Sequence, residues 1–497
     1  MSRMRTPVIL LSVLSLTVGL YCRVQSQTTS ARPTASLSGP DLTPGYKKVN
    51  ISHGEAQPIL KALPQMLPAE LAGKTAVEQA DAWPQWVAAH DAAIRARLRR
   101  GDEDSLVNFL FFGVSFTDQP RFIAAELSRL YPKQGSGSAG KAMARQILQA
   151  RVDDLLRGLA KPGDNERLLF LRGLVQGLGY NPDTAEGSAR LRTYILANVA
   201  RVNGERQTFV QTLDQARLRG GPTELFEEKS SLYRSRGLSS DTSLFPNFAI
   251  EKSLKAMQSR GLIAAGSVRR AAIIGPGLDF TDKQGGYDFY PQQIIQPFAL
   301  MDTLLRLGLA QAKSLEITTF DISPQVNNHL ALTLDRARRG QSYTLQLPLD
   351  AHVQWRPEAK AYWTAFGDQI GVSAPPIPAP AGEPAVEARV VRINPAMVAN
   401  LRPMDLDAIT ERLELPAGQA FDLVVATNIF VYYDVLDQCL ALANVERMLR
   451  SGGFLLSNNL LPILPVARMR SLDDLTVSYS SRPHDGDQIV WYQRLPD

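Results

Sequence analysis

Glycine and acidic residues follow two apolar runs of this sequence, and they are residue types that hold nucleotide-like ligands. The run Ala271–Ile274 leads directly into Gly275-Pro276-Gly277. Because glycine lacks a Cβ, this turn lets a backbone and a ligand approach closely. A second run, Ser314–Phe320, ends on Asp321, at the position where α/β nucleotide-binding folds hold ribose hydroxyls. On this residue alone, a role in capping the helix after Ser323 is equally compatible with the sequence.

The stretch Phe421–Asn459 predicts how further polar residues are positioned. Phe421–Ala426 is an apolar run long enough for one buried strand, and Thr427 and Asn428 end it. A helical apolar pattern follows and stops at Ser451-Gly452-Gly453, since glycine accepts the left-handed backbone of a helix end. Phe454–Leu456 starts a second buried strand. We therefore predict two parallel strands joined by a helix, with functional residues at the strand ends.

Residues 56–260 predict a helical domain, because apolar residues recur every three to four positions and β-type alternation is nearly absent. The aromatic run Phe109–Phe112 at helical spacing predicts core packing, with a ligand pocket as the alternative. The predicted helices are Pro84–Arg99, Lys141–Leu159, Asn165–Leu178, Ser188–Asn203 and Thr208–Leu218.

Residues 267–497 have a pattern of alternating predicted strands and helices, which is typical of an α/β fold. Ala388–Ile393 is predicted as the third strand, and Arg402–Leu406 follows it. Leu475–Ser480 and Gln488–Arg494 predict a closing hairpin. Two insertions are predicted at 278–293 and 340–387, and the second carries a proline run that favours an extended loop or lid.

Together, these features resemble the class I S-adenosylmethionine-dependent methyltransferases over about half of the chain. The resemblance rests on a glycine turn after the first strand, an acid after the second, and a closing hairpin. Its most specific part is FDLVVATNIFVYYD followed by ERMLRSGGFLLSNN. It implies an α/β fold, a Rossmann-like, seven-stranded methyltransferase domain, and the helical pattern described above predicts that an all-α N-terminal domain precedes it.

The resemblance also implies S-adenosyl-L-methionine as cofactor and assigns residues to it. Gly275 and Gly277 would let the backbone approach the methionyl part and the adenosine, and Asp321 with Ile322 would hold the ribose. Asp405 and Leu406 would edge the adenine. Asn428 and Ile429 would flank the methionyl end, near the sulfonium.

The sequence departs from the family pattern at the glycine turn. An acid often stands two residues before the first glycine, where this chain has Ile273, and Asp279 is a candidate substitute from the other side of the turn. Gly275 and Asp321 are 46 positions apart, about twice the usual spacing of roughly 20. The insertion at 278–293 accounts for most of that excess.

The acceptor is not predicted, and we assign no catalytic base. Tyr432, Tyr433 and Asp434 follow the predicted cofactor edge and would either line an acceptor site or pack the start of the next helix. An acceptor with a free lone pair needs no strong base, whereas a hydroxyl needs a residue to take its proton.

Composition excludes several other classes. Apolar residues at 44% and charged residues at 21% are typical of a folded protein, and the net charge of +5 is spread along 497 residues. No nucleic-acid partner is therefore expected. The five histidines and two cysteines lack metal-ligand spacing, so no metal site and no disulfide framework are predicted.

The N-terminus has the order of a secretory signal: Arg3 and Arg5, an apolar run Val8–Tyr21, and then polar residues. Residues 1–26 are predicted as a signal peptide or N-terminal anchor, and residues 27–55 as a flexible linker. The expected location is the cell envelope or the exterior, with a membrane-anchored protein whose catalytic domain is cytoplasmic as the alternative.

Two function classes follow. The first is methyl transfer from S-adenosylmethionine to an unidentified acceptor, either a small molecule or a protein side chain. The second is a non-catalytic envelope scaffold on a degenerate methyltransferase fold, which the leader favours because the cofactor is a cytosolic metabolite. A dinucleotide oxidoreductase is less compatible with the Phe421–Asn459 stretch.

Overall fold

The structure is a computed structural model that describes residues 46–122, 138–219, 237–280, 287–379, 386–482 and 485–496. The predicted leader at 1–26 and most of the predicted linker lie outside the described residues. Among the helices that are described, none has the length and apolar character needed to cross a membrane.

The first half of the described chain is mostly helical. One short strand comes first, and its pairing is described below. The elements are β1 (Lys47–Asn50), α1 (His53–Ala62), α2 (Ala76–Phe112), α3 (Ser138–Ala160), α4 (Glu166–Gly177), α5 (Ala185–Arg219) and α6 (Phe245–Ser259).

The helix boundaries differ from the prediction, most of all in α2, which is longer at both ends than Pro84–Arg99, and in α5. Helix α2 begins at Ala76 rather than at Pro84, because Thr75 is its N-cap and forms a capping box with Glu78. Pro84 therefore lies inside the helix, where its ring leaves one backbone carbonyl without its usual donor. The predicted helices Ser188–Asn203 and Thr208–Leu218 are one continuous helix, α5.

In the second half strands alternate with helices, as the sequence pattern predicts. Its elements are β2 (Arg270–Ile274), α7 (Gln296–Arg306), β3 (Glu316–Asp321), α8 (Pro324–Arg338), β4 (Tyr343–Asp350), α9 (Pro357–Ala365), β5 (Gly371–Ala374), β6 (Val386–Ile393), α10 (Pro395–Val398), β7 (Leu401–Asp405), β8 (Glu411–Glu414), β9 (Phe421–Ala426), α11 (Val435–Met448), β10 (Leu449–Ser457), β11 (Met469–Ser478) and β12 (Gly486–Arg494).

A seven-stranded sheet organises this half in the order β11-β12-β10-β9-β2-β3-β7. Strands β10, β9, β2, β3 and β7 are parallel to their neighbours. The closing hairpin adds β12 and β11 in antiparallel register, which confirms that prediction. From β2, the chain first builds the sheet toward β3 and β7 and then returns to add β9 and β10 on the other side. The boundary between β2 and β9 is therefore a topological switch point.

The apolar runs of the central strands serve both faces of the sheet. In β2, Ala271 and Ile273 join one core with α6, α7 and α8, while Ala272 and Ile274 join a second core with α1, α2 and α11. This alternation follows from the two-residue period of a strand. The continuous apolar runs in the sequence therefore mark strands that are covered on both sides.

The described helices from the second half of α2 through α5 enclose a third core. Phe109 and Phe111 are buried in it, in agreement with the core interpretation of this aromatic run. Phe280, from the first insertion, packs into the same core. Helical and α/β segments are thus joined through this insertion.

The prediction that Ala388–Ile393 is the third strand of the main sheet is wrong. Strand β6, which contains Ala388–Ile393, belongs to a separate three-stranded antiparallel sheet of order β4-β6-β5, so this inserted segment extends beyond its predicted end at residue 387. The third position in the main sheet is taken by β7, which includes Pro403. Proline is tolerated there because β7 is an edge strand of that sheet.

The predicted linker also ends earlier than residue 55. Strand β1 pairs antiparallel with β8, and Ser52 then begins α1 through a capping box with Glu55. Strand β1 is exposed and polar, so its pairing depends on a partner more than 350 residues away (Lys47 with Glu414) rather than on local composition.

Candidate functional site

A crevice of about 610 Å³ lies at the carboxyl ends of the parallel strands, around the switch point. In open α/β sheets this is where ligands bind. The loops after β2, β3, β7 and β9 each contribute to its wall, and α2 and the segment before α6 close it from above. Its lining includes Gly275, Gly277, Asp321, Ile322, Leu406, Asp407, Ala408, Ile409, Ile429, Tyr432, Tyr433, Leu98, Leu238, Ser239 and Ser240.

The glycine turn forms the wall after β2. Gly275 and Gly277 have φ of +66° and +64°, the left-handed region that disfavours residues with a Cβ. A Cβ on Gly275 would lie 2.0 Å from Ile429 Cδ1, and one on Gly277 would lie 2.5 Å from the Ser240 backbone oxygen. Backbone conformation therefore favours glycine at both positions, and at Gly277 the approach of a backbone oxygen excludes a Cβ as well, whereas the Ile429 side chain near Gly275 can move.

Asp321 supplies the acid at the next strand end. Its carboxylate accepts a hydrogen bond from the backbone N–H of Ser323 at 2.8 Å. Ser323 itself is the N-cap of α8. Asp321 therefore lines the crevice and does not cap the helix. Burial, together with the charge of Asp405, raises the pKa of Asp321 to about 7 even though backbone N–H groups donate to it.

Asp279 lies outside the crevice, although Gly277 is only two residues away. Its carboxylate accepts hydrogen bonds from the Tyr290 hydroxyl (2.9 Å) and from Gln293 Nε2 (2.8 Å). It faces a separate cavity on the other side of the turn.

At the end of β7, Asp405 is in register with Asp321 but is not among the residues that line the crevice. Its carboxylate pairs with Arg95 at 2.7 Å, and its side chain is 55% exposed. The lining acid here is Asp407, whose carboxylate accepts from Ile409 N and Thr410 Oγ1 in its own turn. Burial raises the pKa of Asp407 to about 6.

Asn428 makes the strained turn after β9. It is the non-glycine residue with positive φ (+59°) in the described part of the chain, a conformation that asparagine tolerates better than most residues. Its N–H donates to Asn458 Oδ1, and Asn458 Nδ2 donates back to Asn428 Oδ1, so the ends of β9 and β10 are joined. Ile429, the next residue, lines the crevice.

Tyr432 and Tyr433, which follow this turn, both line the crevice. Packing against the start of the helix is therefore not their sole role. Tyr433 is buried, and its carbonyl accepts a hydrogen bond from Gln438 in α11. Asp434 has a different role because its carboxylate caps α11 through Asp437 N.

No sequence pattern indicated the crevice cover, which we define as Leu98 of α2 with Leu238–Thr242. Leu278 N donates to Ser240 O (2.7 Å), and Thr242 N donates to Leu278 O (3.0 Å), so the segment runs alongside the glycine turn. Arg97 Nη2 donates to Tyr432 O (2.9 Å). These contacts join segments far apart in sequence, and no local pattern signals them.

His90 attaches α2 to α11 and should do so more strongly in acid. Its Nε2 lies 2.7 Å from Asp437 Oδ1. Burial lowers the pKa of His90, but the hydrogen bond to Asp437 and the charges of Asp437, Asp407 and Asp434 outweigh it and raise the pKa above its usual value. A raised histidine pKa stabilises the fold fully below the unfolded pKa of about 6.5, and this is lost as the pH rises through the folded value.

Thermal unfolding of the His90→Gln variant tests this attachment. The free energy of unfolding of the wild-type protein should exceed that of the variant by about 1 kcal/mol near pH 6, and this difference should shrink as the pH rises toward 8.5. His352→Gln, at an exposed position, serves as the control and should show no such trend. A difference between wild type and His90→Gln that is constant with pH would rule out the charged pair.

Comparisons with known proteins find similarity among solved structures; no family model and no curated protein sequence matches the chain. The N-methyltransferase NodS from Bradyrhizobium japonicum WM9 is 12% identical over 51% of this chain and 100% of its own, with a TM-score of 0.25. The glycopeptide N-methyltransferase MtfA complexed with (S)-adenosyl-L-methionine is 13% identical over 50% of this chain and 78% of its own, with a TM-score of 0.19. MtNAS in complex with MTA and tNA is 11% identical over 73% and 100%, with a TM-score of 0.22.

The sheet order, the switch-point crevice and the glycine turn define an α/β protein with a Rossmann-like fold. Within that class, the resemblance to the class I S-adenosylmethionine-dependent methyltransferases stays a prediction from the sequence motifs.

Proposed function

We propose that this protein binds S-adenosylmethionine in the crevice and transfers its methyl group to an acceptor. One observation carries the proposal: the glycine turn, Asp321 and an apolar wall meet around one crevice at the switch point. In α/β folds, a glycine turn and an acid at neighbouring strand ends are the arrangement that binds a nucleoside.

The residues of the crevice fit the parts of this cofactor. The carboxylate of Asp321 would accept hydrogen bonds from the ribose hydroxyls. Ile322 and Leu406 offer apolar surface for the adenine. The glycine turn and Ile429 would hold the methionyl end. When bound, the cofactor supplies a methyl group activated by a sulfonium.

The chain's own contribution would be positioning and exclusion of water. Holding two reactants in line supplies a large part of the barrier reduction for a displacement. Leu98, Leu238 and Tyr433 close the crevice with apolar surface, which keeps water from the reacting atoms. We assign no general base, because an acceptor with a free lone pair needs none.

Calorimetric titration of the full chain with S-adenosylhomocysteine tests the proposal. We expect saturable binding of one molecule per chain, and no comparable binding of NAD. If neither S-adenosylhomocysteine nor S-adenosylmethionine binds to folded protein, the enzyme proposal fails, and the scaffold hypothesis replaces it.

The location of the catalytic part is a separate proposal. The leader predicts export, whereas the cofactor is made in the cytosol. We propose that residues 1–26 anchor the protein with its catalytic part in the cytoplasm. A compartment-sensitive reporter fused to the C-terminus of the full chain should be active in the cytosol, and a reporter active only outside the cytosol would refute this arrangement.

A further inference from the structure

Four segments that contribute to the crevice wall are joined to one another in a ring. They are the glycine turn, helix α2, the cover segment Leu238–Thr242, and Ile429–Tyr433, which we call the tyrosine turn. Directly after the glycine turn, Leu278 N donates to Ser240 O of the cover segment at 2.7 Å. The glycine turn also contacts the tyrosine turn, since a Cβ on Gly275 would lie 2.0 Å from Ile429 Cδ1.

The cover segment lies directly on helix α2. Leu238 N donates to the backbone oxygen of Arg97 at 3.2 Å. A Cβ on Gly101 would lie 1.8 Å from Leu238 O, and a Cβ on Gly237 would lie 2.1 Å from Gly101 N. Glycine is unfavourable inside a helix, and this close backbone contact accounts for its presence at position 101. The backbones of the cover segment and of α2 are thereby fixed to each other.

The side chain of Arg97 joins α2 to the tyrosine turn. Its Nη2 donates to Tyr432 O at 2.9 Å, and the guanidinium carbon lies 5.6 Å from the centroid of the Tyr433 ring. A cation at that distance from an aromatic face is attracted to it. Both tyrosines line the crevice, whereas Arg97 is not part of the lining. Arg97 therefore holds two lining residues in position from outside the crevice.

The tyrosine turn has a second attachment, to helix α11. Gln438 Nε2 donates to Phe430 O and to Tyr433 O, both at 2.9 Å. Replacing Arg97 leaves these bonds in place. The substitution therefore separates the turn from α2 without detaching it from α11.

Helix α2 is likewise fastened to the α/β half by residues other than Arg97. His90 Nε2 lies 2.7 Å from Asp437 Oδ1, and Arg95 Nη1 lies 2.7 Å from Asp405 Oδ1. We therefore expect the helix to keep its position when the Arg97 side chain is shortened. The effect of such a change should be confined to the tyrosine turn and the cover segment.

We propose that Arg97 is a positioning residue of the crevice. It latches the tyrosine turn to α2 and to the cover segment, and it thereby sets how long a ligand remains in the crevice. The joints described at Leu278, Gly275 and Leu238 are formed by backbone hydrogen bonds or by packing, whereas the joint at Arg97 is one that a single side chain can open. The inference rests on the proposed function for the identity of the ligand, while the latch itself concerns the chain alone.

Amide hydrogen exchange of the full-length, ligand-free Arg97→Gln variant tests the latch without any ligand. The amides of Tyr432 and Tyr433 donate to Ile429 O and Phe430 O within the turn, so their exchange reports its opening. They should exchange about tenfold faster than in wild type, as expected for the loss of a hydrogen bond from a charged donor. Unchanged exchange of both amides overturns the proposal.

Two further variants distinguish a latch from general destabilisation. Arg97→Lys keeps a cation and a donor, so it should restore most of the protection. Arg99→Gln removes an exposed arginine of the same helix that lies 3.8 Å from Glu103, and it should exchange like wild type. If the amides of strand β9 accelerate as much as those of the tyrosine turn in Arg97→Gln, the effect is global and the proposal is refuted.

The dissociation rate of S-adenosylhomocysteine tests the consequence for the crevice. In stopped-flow measurements, Arg97→Gln should release the ligand roughly tenfold faster, and Arg99→Gln should release it at the wild-type rate. The affinity should fall by less than the release rate rises, because an open latch also admits the ligand faster. An unchanged release rate from Arg97→Gln would refute the effect on residence. Failure of wild type to bind the ligand would refute the proposed function and that effect together, while hydrogen exchange separately decides whether Arg97 holds the turn.

Discussion

Replacing Asp321 by Asn should weaken the binding of S-adenosylhomocysteine about 10- to 100-fold, the largest functional effect we expect. A hydrogen bond to a charged, buried group contributes about 1.5–3 kcal/mol, which corresponds to that range. The amide has almost the same shape but a single acceptor oxygen and no charge. Calorimetric titration of the folded variant measures the loss.

Asp405→Asn is the matched control for this variant. Asp405 stands beside Asp321 in the sheet register, yet its carboxylate pairs with Arg95 and it is not part of the crevice lining. Its replacement should leave the affinity within about threefold of wild type, as expected for a partly exposed ion pair. If Asp405→Asn weakened binding as much as Asp321→Asn, the assignment of the ribose contact would be wrong.

The same carboxylate should make binding depend on pH. Burial raises the pKa of Asp321 to about 7, so its ionised form is lost as the pH falls through that value. If the ionised form holds the ribose, the affinity is constant well above pH 7 and declines by up to about tenfold per pH unit below it.

Asp321→Asn should remove this dependence. Asp407 also lines the crevice, and burial raises its pKa to about 6, so any slope left in the variant should begin lower. In Asp405→Asn, the loss of a neighbouring negative charge should move the midpoint to lower pH. An identical pH profile in wild type and Asp321→Asn would contradict this account.

Local sequence patterns predicted the central part of the sheet well, for a physical reason. Strands β2 and β9 are covered on both faces of the sheet. Their sequences are therefore continuous apolar runs. The residues after them, Gly275 and Asn428, have left-handed backbones that strongly restrict residue type. Where one residue type is required by its own backbone, the sequence alone is informative.

The third strand of the sheet could not be predicted in the same way. Val386–Ile393 has more β-branched residues than Leu401–Asp405, which contains a proline. Both segments do form strands. Which sheet each joins is decided by partners distant in sequence, β4 for the first and β3 for the second. Local β propensity predicts that a segment forms a strand. It does not predict which other strands that segment pairs with.

The cover of the crevice was unpredictable for a related reason. Leu98 and Leu238 read as ordinary apolar residues of helical and loop segments, and the wall they form exists only when α2 crosses the sheet edge. Arg95 was similarly ambiguous, because an arginine late in a predicted helix suits the helix dipole. Its pairing with Asp405 is a tertiary contact that the sequence does not indicate.

Gly277→Ala should disrupt the fold of the crevice wall and abolish cofactor binding. The left-handed backbone of this residue alone disfavours alanine by about 1–2 kcal/mol. In addition, the new Cβ would lie 2.5 Å from the backbone oxygen of Ser240 and 3.2 Å from Thr242 Cβ. Because a backbone oxygen cannot rotate away, the segment bearing Ser240 must shift, and overpacking of this kind costs a further 1–3 kcal/mol, roughly.

Gly308→Ala separates the two contributions. Gly308 has φ of +66°, close to the +64° of Gly277, but a Cβ there would meet nothing within 4 Å. The control therefore carries the backbone strain without the clash. We expect Gly308→Ala to lower the free energy of unfolding by about 1–2 kcal/mol and to leave S-adenosylhomocysteine binding intact.

Urea unfolding and calorimetry of both variants distinguish the cover from a generic glycine effect. Leu278 N donates to Ser240 O at 2.7 Å, so a shift of Ser240 opens the cover on the side of the glycine turn. If Gly277→Ala is destabilised no more than Gly308→Ala and still binds the ligand, the close approach of Ser240 is unimportant. If Gly277→Ala loses ligand binding while Gly308→Ala keeps it, the cover and the glycine turn act as one unit. The clash with Ser240 occurs only in Gly277→Ala, so it would be the cause of the difference.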